Sequence, residues 1–143
     1  MNIVRLLLIL SIAGGGYSYW KKHHHALPVP AASGPAISEN GFAALPPANG
    51  QSANKVFVVA AENCPHEEAQ RADRLARELS RQGIPVERTH HVRFHFSGAG
   101  DGEMMSRVSN TMNGPLPIVF INGRAKPNPS LDEVVAEYRS SRH

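Results

Sequence analysis

The chain has 143 residues and a formal net charge of +3, enough for one small domain with tails. Residues 55–143 hold 12 Lys or Arg against 11 Asp or Glu, which excludes the strongly basic surface that nucleic-acid binding needs. A single cysteine excludes an intramolecular disulfide, an all-cysteine zinc site and a dithiol mechanism confined to this chain.

Chain order begins with a membrane or export element. Met1–Arg5 is short and basic, and Leu6–Ala13 is almost wholly apolar. Counting from Ile3 to Trp20 gives 18 residues, near the lower limit for a span of a hydrocarbon core roughly 30 Å thick. Tyr17, Tyr19 and Trp20 beside Lys21 and Lys22 suit a membrane interface. Residues 1–20 are therefore expected to be a signal anchor or a cleaved signal peptide, with residues 3–20 as the membrane contact. The expected place is a bacterial-type inner membrane, crossed once, with the C-terminal domain in the periplasm. Cleavage would instead leave a soluble periplasmic protein.

Residues 21–54 are rich in Pro, Ala and Gly and are expected to be a tether, with Ile37, Phe42 and Leu45 as isolated apolar residues. His23–His25 read as a polar stretch rather than a metal site.

The domain is expected over residues 55–143. Lys55–Ala61 is β-rich and predicts a buried strand. Pro65 suits a first helical position and Glu67 lies three residues beyond Cys64, so Cys64 is expected at a helix N-cap. That helix is expected to reach about Arg81. Ala69, Ala72, Leu75, Ala76 and Leu79 form its inner face, and Gly83 stops it. Glu67–Arg71, Asp73–Arg77 and Arg74–Glu78 are spaced for ion pairs on the outer face.

Pro85–Phe96 predicts a second strand, with Val92, Phe94 and Phe96 on one face and His91, Arg93 and His95 on the other. His91 and His95 would then lie about 13 Å apart, too far for one metal ion, and no metal site is expected. Glu103–Met112 predicts a second helix with Met104, Met105, Val108 and Met112 inward. Ile118–Ile121 predicts a strand, Asn122–Gly123 a tight hairpin and Arg124–Lys126 its return. Ser130 and Glu133 form a capping box for a last helix that buries Leu131, Val134, Val135 and Tyr138. The order is β-α-β-α-β-β-α, an α/β domain with a small mixed four-stranded sheet and helices on both faces.

This order, a Cys-Pro step after the first strand, and the segment Leu116–Arg124 with Pro117 opening the third strand resemble the glutaredoxin-like branch of the thioredoxin superfamily. The resemblance covers about residues 55–140. It implies a thioredoxin-like fold of glutaredoxin size and a nucleophilic thiol at Cys64. It also implies a cis-proline at Pro117, and backbone contacts to glutathione or peptide from Leu116. Pro65 and His66 complete the expected substrate-binding set.

The chain departs from the pattern at several places. Glu67 stands where the second cysteine falls, and Ala61 where a basic residue is common. Pro127 and Asn128 stand in place of the paired glycines, and Ser130 in place of an Asp. A shared iron–sulfur cluster is not expected from so altered a pocket.

A thiol at a helix N-terminus is drawn toward thiolate by free N–H groups and the dipole, while Glu62, Glu67 and Glu68 oppose this. The expected function is a monothiol thiol–disulfide oxidoreductase acting on mixed disulfides through Cys64. Glutathione would be a co-substrate, there would be no bound cofactor, and a thiol- or disulfide-bearing protein would be the partner. A homodimer linked through Cys64 is a further arrangement the lone thiol allows. The alternative is a non-enzymatic thioredoxin-fold module that binds a protein near Leu116, Pro117 and Pro127.

Overall fold

The computed structural model describes residues 34–61, 66–96 and 102–142. The expected anchor at residues 1–20 and the first part of the tether therefore lie outside the described residues, as do Cys64 and Pro65. No helix among the described residues is long and apolar enough to cross a membrane.

The fold is α/β, built on a mixed five-stranded sheet. Its strands are β1 (Ala43–Ala44), β2 (Val56–Val59), β3 (Val86–Thr89), β4 (Ile118–Ile121) and β5 (Arg124–Pro127). The helices are α1 (Glu67–Arg81), α2 (Gly102–Met112) and α3 (Leu131–Ser140). The strands lie in the order β1-β5-β4-β2-β3. β2 and β3 are parallel, while β2–β4, β4–β5 and β5–β1 are antiparallel.

Two apolar layers sandwich the sheet. Val56, Val58, Val119 and Ile121 face α1 and α3, where Leu79, Ala72, Val134 and Tyr138 cover them. Phe57, Val59, Ile118 and Phe120 face the other way, toward Val108 of α2, Leu45, Val92 and Phe94. Because β2 and β4 are covered on both faces, all four residues of each are buried. That accounts for their unbroken apolar runs.

The fifth strand comes from the expected tether, which is a correction. Residues 34–54 pack onto the domain instead of standing off it. Phe42 is fully buried in one layer and Leu45 is buried in the other. Ala43 and Ala44 pair with Ala125 and Arg124. Ile37 alone of the three isolated apolar residues stays exposed. Spacing along the segment does not reveal this. Phe42 and Leu45 enter different layers because they lie three apart along the extended β1 segment, which directs them to opposite faces of the sheet.

Helix ends follow the local chemistry. α1 closes in a Schellman motif, with Gly83 N–H donating to Ser80 O at 3.0 Å and Ile84 N–H to Leu79 O at 3.0 Å. Gly83 takes a φ of 73°, which is why glycine suits the place. The capping box at α3 forms as expected. Glu133 N–H donates to Ser130 Oγ, and Ser130 N–H donates to Glu133 Oε2 at 2.8 Å.

At the start of α1 the expectation is corrected: the N-cap is His66, two residues beyond Cys64. The His66 carbonyl accepts from Ala69 and Gln70 N–H, so the helical ladder begins there.

The strand expected over Pro85–Phe96 is also shorter than its pattern. It leaves the sheet after Thr89, because the following segment pairs with the chain before β2. Asn49 N–H donates to Arg93 O at 2.8 Å, and Ala48 bridges Phe94. Val92 and Phe94 keep their inward face, with the Phe94 ring 5.9 Å from that of Phe120, while Phe96 is exposed. In α2, Met105 is exposed and Thr111 is buried, so the inward face is narrower than the methionine spacing implies.

Candidate functional site

In chain order Cys64, Pro65 and His66 fall between β2 and α1, and Leu116 and Pro117 immediately precede β4. Cys64 and Pro65 lie outside the described residues. His66 is exposed and its side chain makes no capping bond. Leu116 is half-buried against the α2-side layer, and Pro117 is fully buried. The Leu116–Pro117 peptide bond is cis. The Pro117 carbonyl accepts from Asn128 N–H at 2.7 Å, which binds the entry to β4 to the exit from β5.

A groove of about 210 Å³ opens beside Pro117. Arg71, Arg74, Leu75 and Glu78 of α1 form one wall, and Asn128, Pro129 and Leu131 the other. The local sequence explains both walls. Residues 71, 74, 75 and 78 follow the i, i+3, i+4, i+7 spacing of one helix face. Asn128 adopts a φ of 45°, a conformation asparagine tolerates better than most residues, and turns the chain from β5 toward the α3 cap.

Both arginines were expected in ion pairs on the solvent side. They line the groove instead, and the acidic residues of α1 pair elsewhere: Asp73 with Arg88 of β3, and Glu78 with Arg81. Arg71 Nε is buried without a hydrogen-bond partner among the described residues, while Arg74 is exposed. The signal that finds these residues is positional. They flank the buried stripe through Ala72, Leu75 and Leu79 on the side that meets the Pro117 turn.

The groove thus joins two cationic side chains and the Glu78 carboxylate, which is paired with Arg81, to two leucines and two buried prolines. Such a surface suits a small ligand or chain end carrying a carboxylate. His90 and His91 stack edge to face with centroids 4.4 Å apart, on the exposed segment after β3. Among the described residues, no three or more His, Cys, Asp or Glu side chains gather in a way that could hold a metal ion.

Compared with known protein families, curated proteins and solved structures, the chain matches none.

Proposed function

We propose that this chain is a glutaredoxin-like thiol–disulfide exchange domain, carried on a membrane anchor or exported. The observation that carries the reading is the arrangement around β4. A parallel β2–β3 pair connected through α1 is followed by an antiparallel β4–β5 pair, and Pro117 at the entry to β4 lies beside the α1 groove. This is the order the resemblance implies for a thioredoxin-like core, with β1 as an added edge strand. In chain order Cys64 falls between β2 and α1, the connection that such a core uses for its thiol.

In this reading the Cys64 thiolate attacks one sulfur of a mixed disulfide. A new disulfide forms to that sulfur, the old S–S bond breaks, and the departing thiolate takes up a proton. A second thiol, from glutathione or another protein, then attacks the intermediate and returns Cys64 as thiolate. Arg71 and Arg74 supply positive charge beside Pro117 for a substrate carboxylate, in place of the basic residue missing at Ala61.

The test is the alkylation rate of Cys64 in the full chain against pH, together with challenge by glutathione disulfide. A titration midpoint well below the ordinary thiol value of about 8.5, with an adduct that free glutathione removes, is the expected result. An ordinary midpoint without an adduct rejects the activity and leaves a protein-binding module.

A further inference from the structure

Strand β3 is an edge of the sheet and pairs with β2 alone among the described strands. Its ladder decides which backbone groups are occupied. Val56 N–H donates to Pro85 O at 2.8 Å, and Ala60 N–H donates to Thr89 O at 3.1 Å. With Val56 in register with Val86, the backbone groups of Glu87 and Thr89 turn toward β2. Those of Val86 and Arg88 turn to the open edge, where they form a template for another strand.

This edge is walled on both faces. Val86 and Arg88 border a groove of about 430 Å³ whose other wall is Asp73, Arg77 and Arg81 of α1. Glu87 and Thr89 border a cavity of about 400 Å³ on the opposite face, with Gln51, Phe57, Val92 and Arg93. An extended chain laid along β3 directs successive side chains to opposite faces, so alternate side chains enter each space.

The α1 face carries the greater positive charge, three arginines against one aspartate. On the α1 side, Arg88 is bonded to Asp73 and Arg81 to Glu78, while Arg77 is exposed and engaged in no ion pair among the described residues. A net positive wall favours acidic side chains there. On the other side Lys55 pairs with Glu87, Arg93 and His91 border the cavity, and Phe57 and Val92 offer apolar contact.

A second copy fits this edge badly. Two β3 strands related by a twofold axis normal to the sheet keep the same faces together. A copy therefore brings its own Arg88 to the α1 face, where it meets the wall of Arg77, Arg81 and Arg88, and like charges gathered on one face destabilise the pairing.

We propose that the β3 edge receives an extended segment of a different protein as a further strand. Its acidic side chains point toward Arg77 and Arg88, and its alternate, apolar ones toward Thr89 and Val92.

The test uses the full chain, isotope-labelled for amide exchange, and a blocked octapeptide of alternating Asp and Val. The expected result is slowed exchange at Val86 and Arg88 N–H on titration. An Arg77→Glu variant with an unchanged amide spectrum should bind this peptide at least tenfold more weakly, and should prefer the counterpart with Lys in place of Asp. Unslowed exchange at Val86 and Arg88 overturns the proposal, as does equal affinity of the wild-type chain for the Asp and Lys peptides. Protection without peptide also overturns it: if it grows with protein concentration the edge belongs to a second copy, and if it is constant it belongs to another segment of this chain.

Discussion

Arg124 Nε lies 3.9 Å from Glu137 Oε1, and both side chains are buried where β5, α3 and the chain before β1 meet. The second Glu137 oxygen, Oε2, accepts from Ser38 Oγ at 2.8 Å and from Asn40 Nδ2 at 3.0 Å. Arg124 also donates to the Phe42 carbonyl at 3.3 Å. One buried carboxylate thus ties the N-terminal segment to the last helix. Glu137→Ala should destabilise the fold by about 3–5 kcal/mol, because it removes the carboxylate that balances the buried Arg124 charge and that Ser38 and Asn40 share as acceptor. Urea unfolding measures the loss, and amide exchange should show residues 38–44 opening first. Glu137→Ala at near wild-type stability would rule out this clasp.

Phe42 gives the same segment its apolar hold. Phe42→Ala should cost about 3–5 kcal/mol, the range for emptying a fully buried aromatic site. A residue of a free tether would cost nothing measurable. A thermal melt of the two chains separates these cases, and also shows whether shortening the chain to residue 52 removes part of the folded unit.

Gly114 lies against β5. A Cβ placed on it would sit 2.5 Å from Pro127 Cβ and 2.7 Å from Pro127 Cγ. The proline ring is rigid and cannot swing aside, so Gly114→Ala should destabilise by about 1–3 kcal/mol. A stabilising effect, as expected for an open glycine, would contradict this packing.

Glu133 is held below the ordinary carboxylate range, first by the hydrogen bond from Lys126 Nζ and then by the backbone N–H of Ser130. A carboxylate whose folded pKa is depressed contributes stability above its unfolded pKa, and that contribution is lost as pH falls through the folded value. Glu133→Gln imitates the protonated form. The stability gap between wild type and this variant should be full near neutrality and close as pH drops below about 4. Urea titrations at several pH values check it, and a constant gap would refute the linkage.

Much of the domain is legible in the residues because its determinants are local. The buried runs of β2 and β4, the Asn122–Gly123 hairpin with φ of 44° and 77°, the Gly83 stop and the Ser130–Glu133 box each depend on neighbours a few positions away. The expected ion pairs of α1 show the opposite case. Asp73 has Arg77 one turn along its own helix, yet it bonds Arg88, since packing α1 over β3 brings that guanidinium to it.

The order of the elements from β2 to α3 and most of their buried residues thus came from local pattern, through side-chain periodicity, capping and turn chemistry. Tertiary structure alone decided that residues 34–54 belong to the fold, because Glu137 meets Ser38 and Asn40, and Arg124 meets the Phe42 carbonyl, only across 80 or more positions of chain. It also decided that Arg71 and Arg74 share a groove with Pro117, and that β3 presents an edge, unpaired among the described residues, between two walls. Such placements depend on which surfaces meet after the sheet has formed, and no spacing within a single segment encodes that.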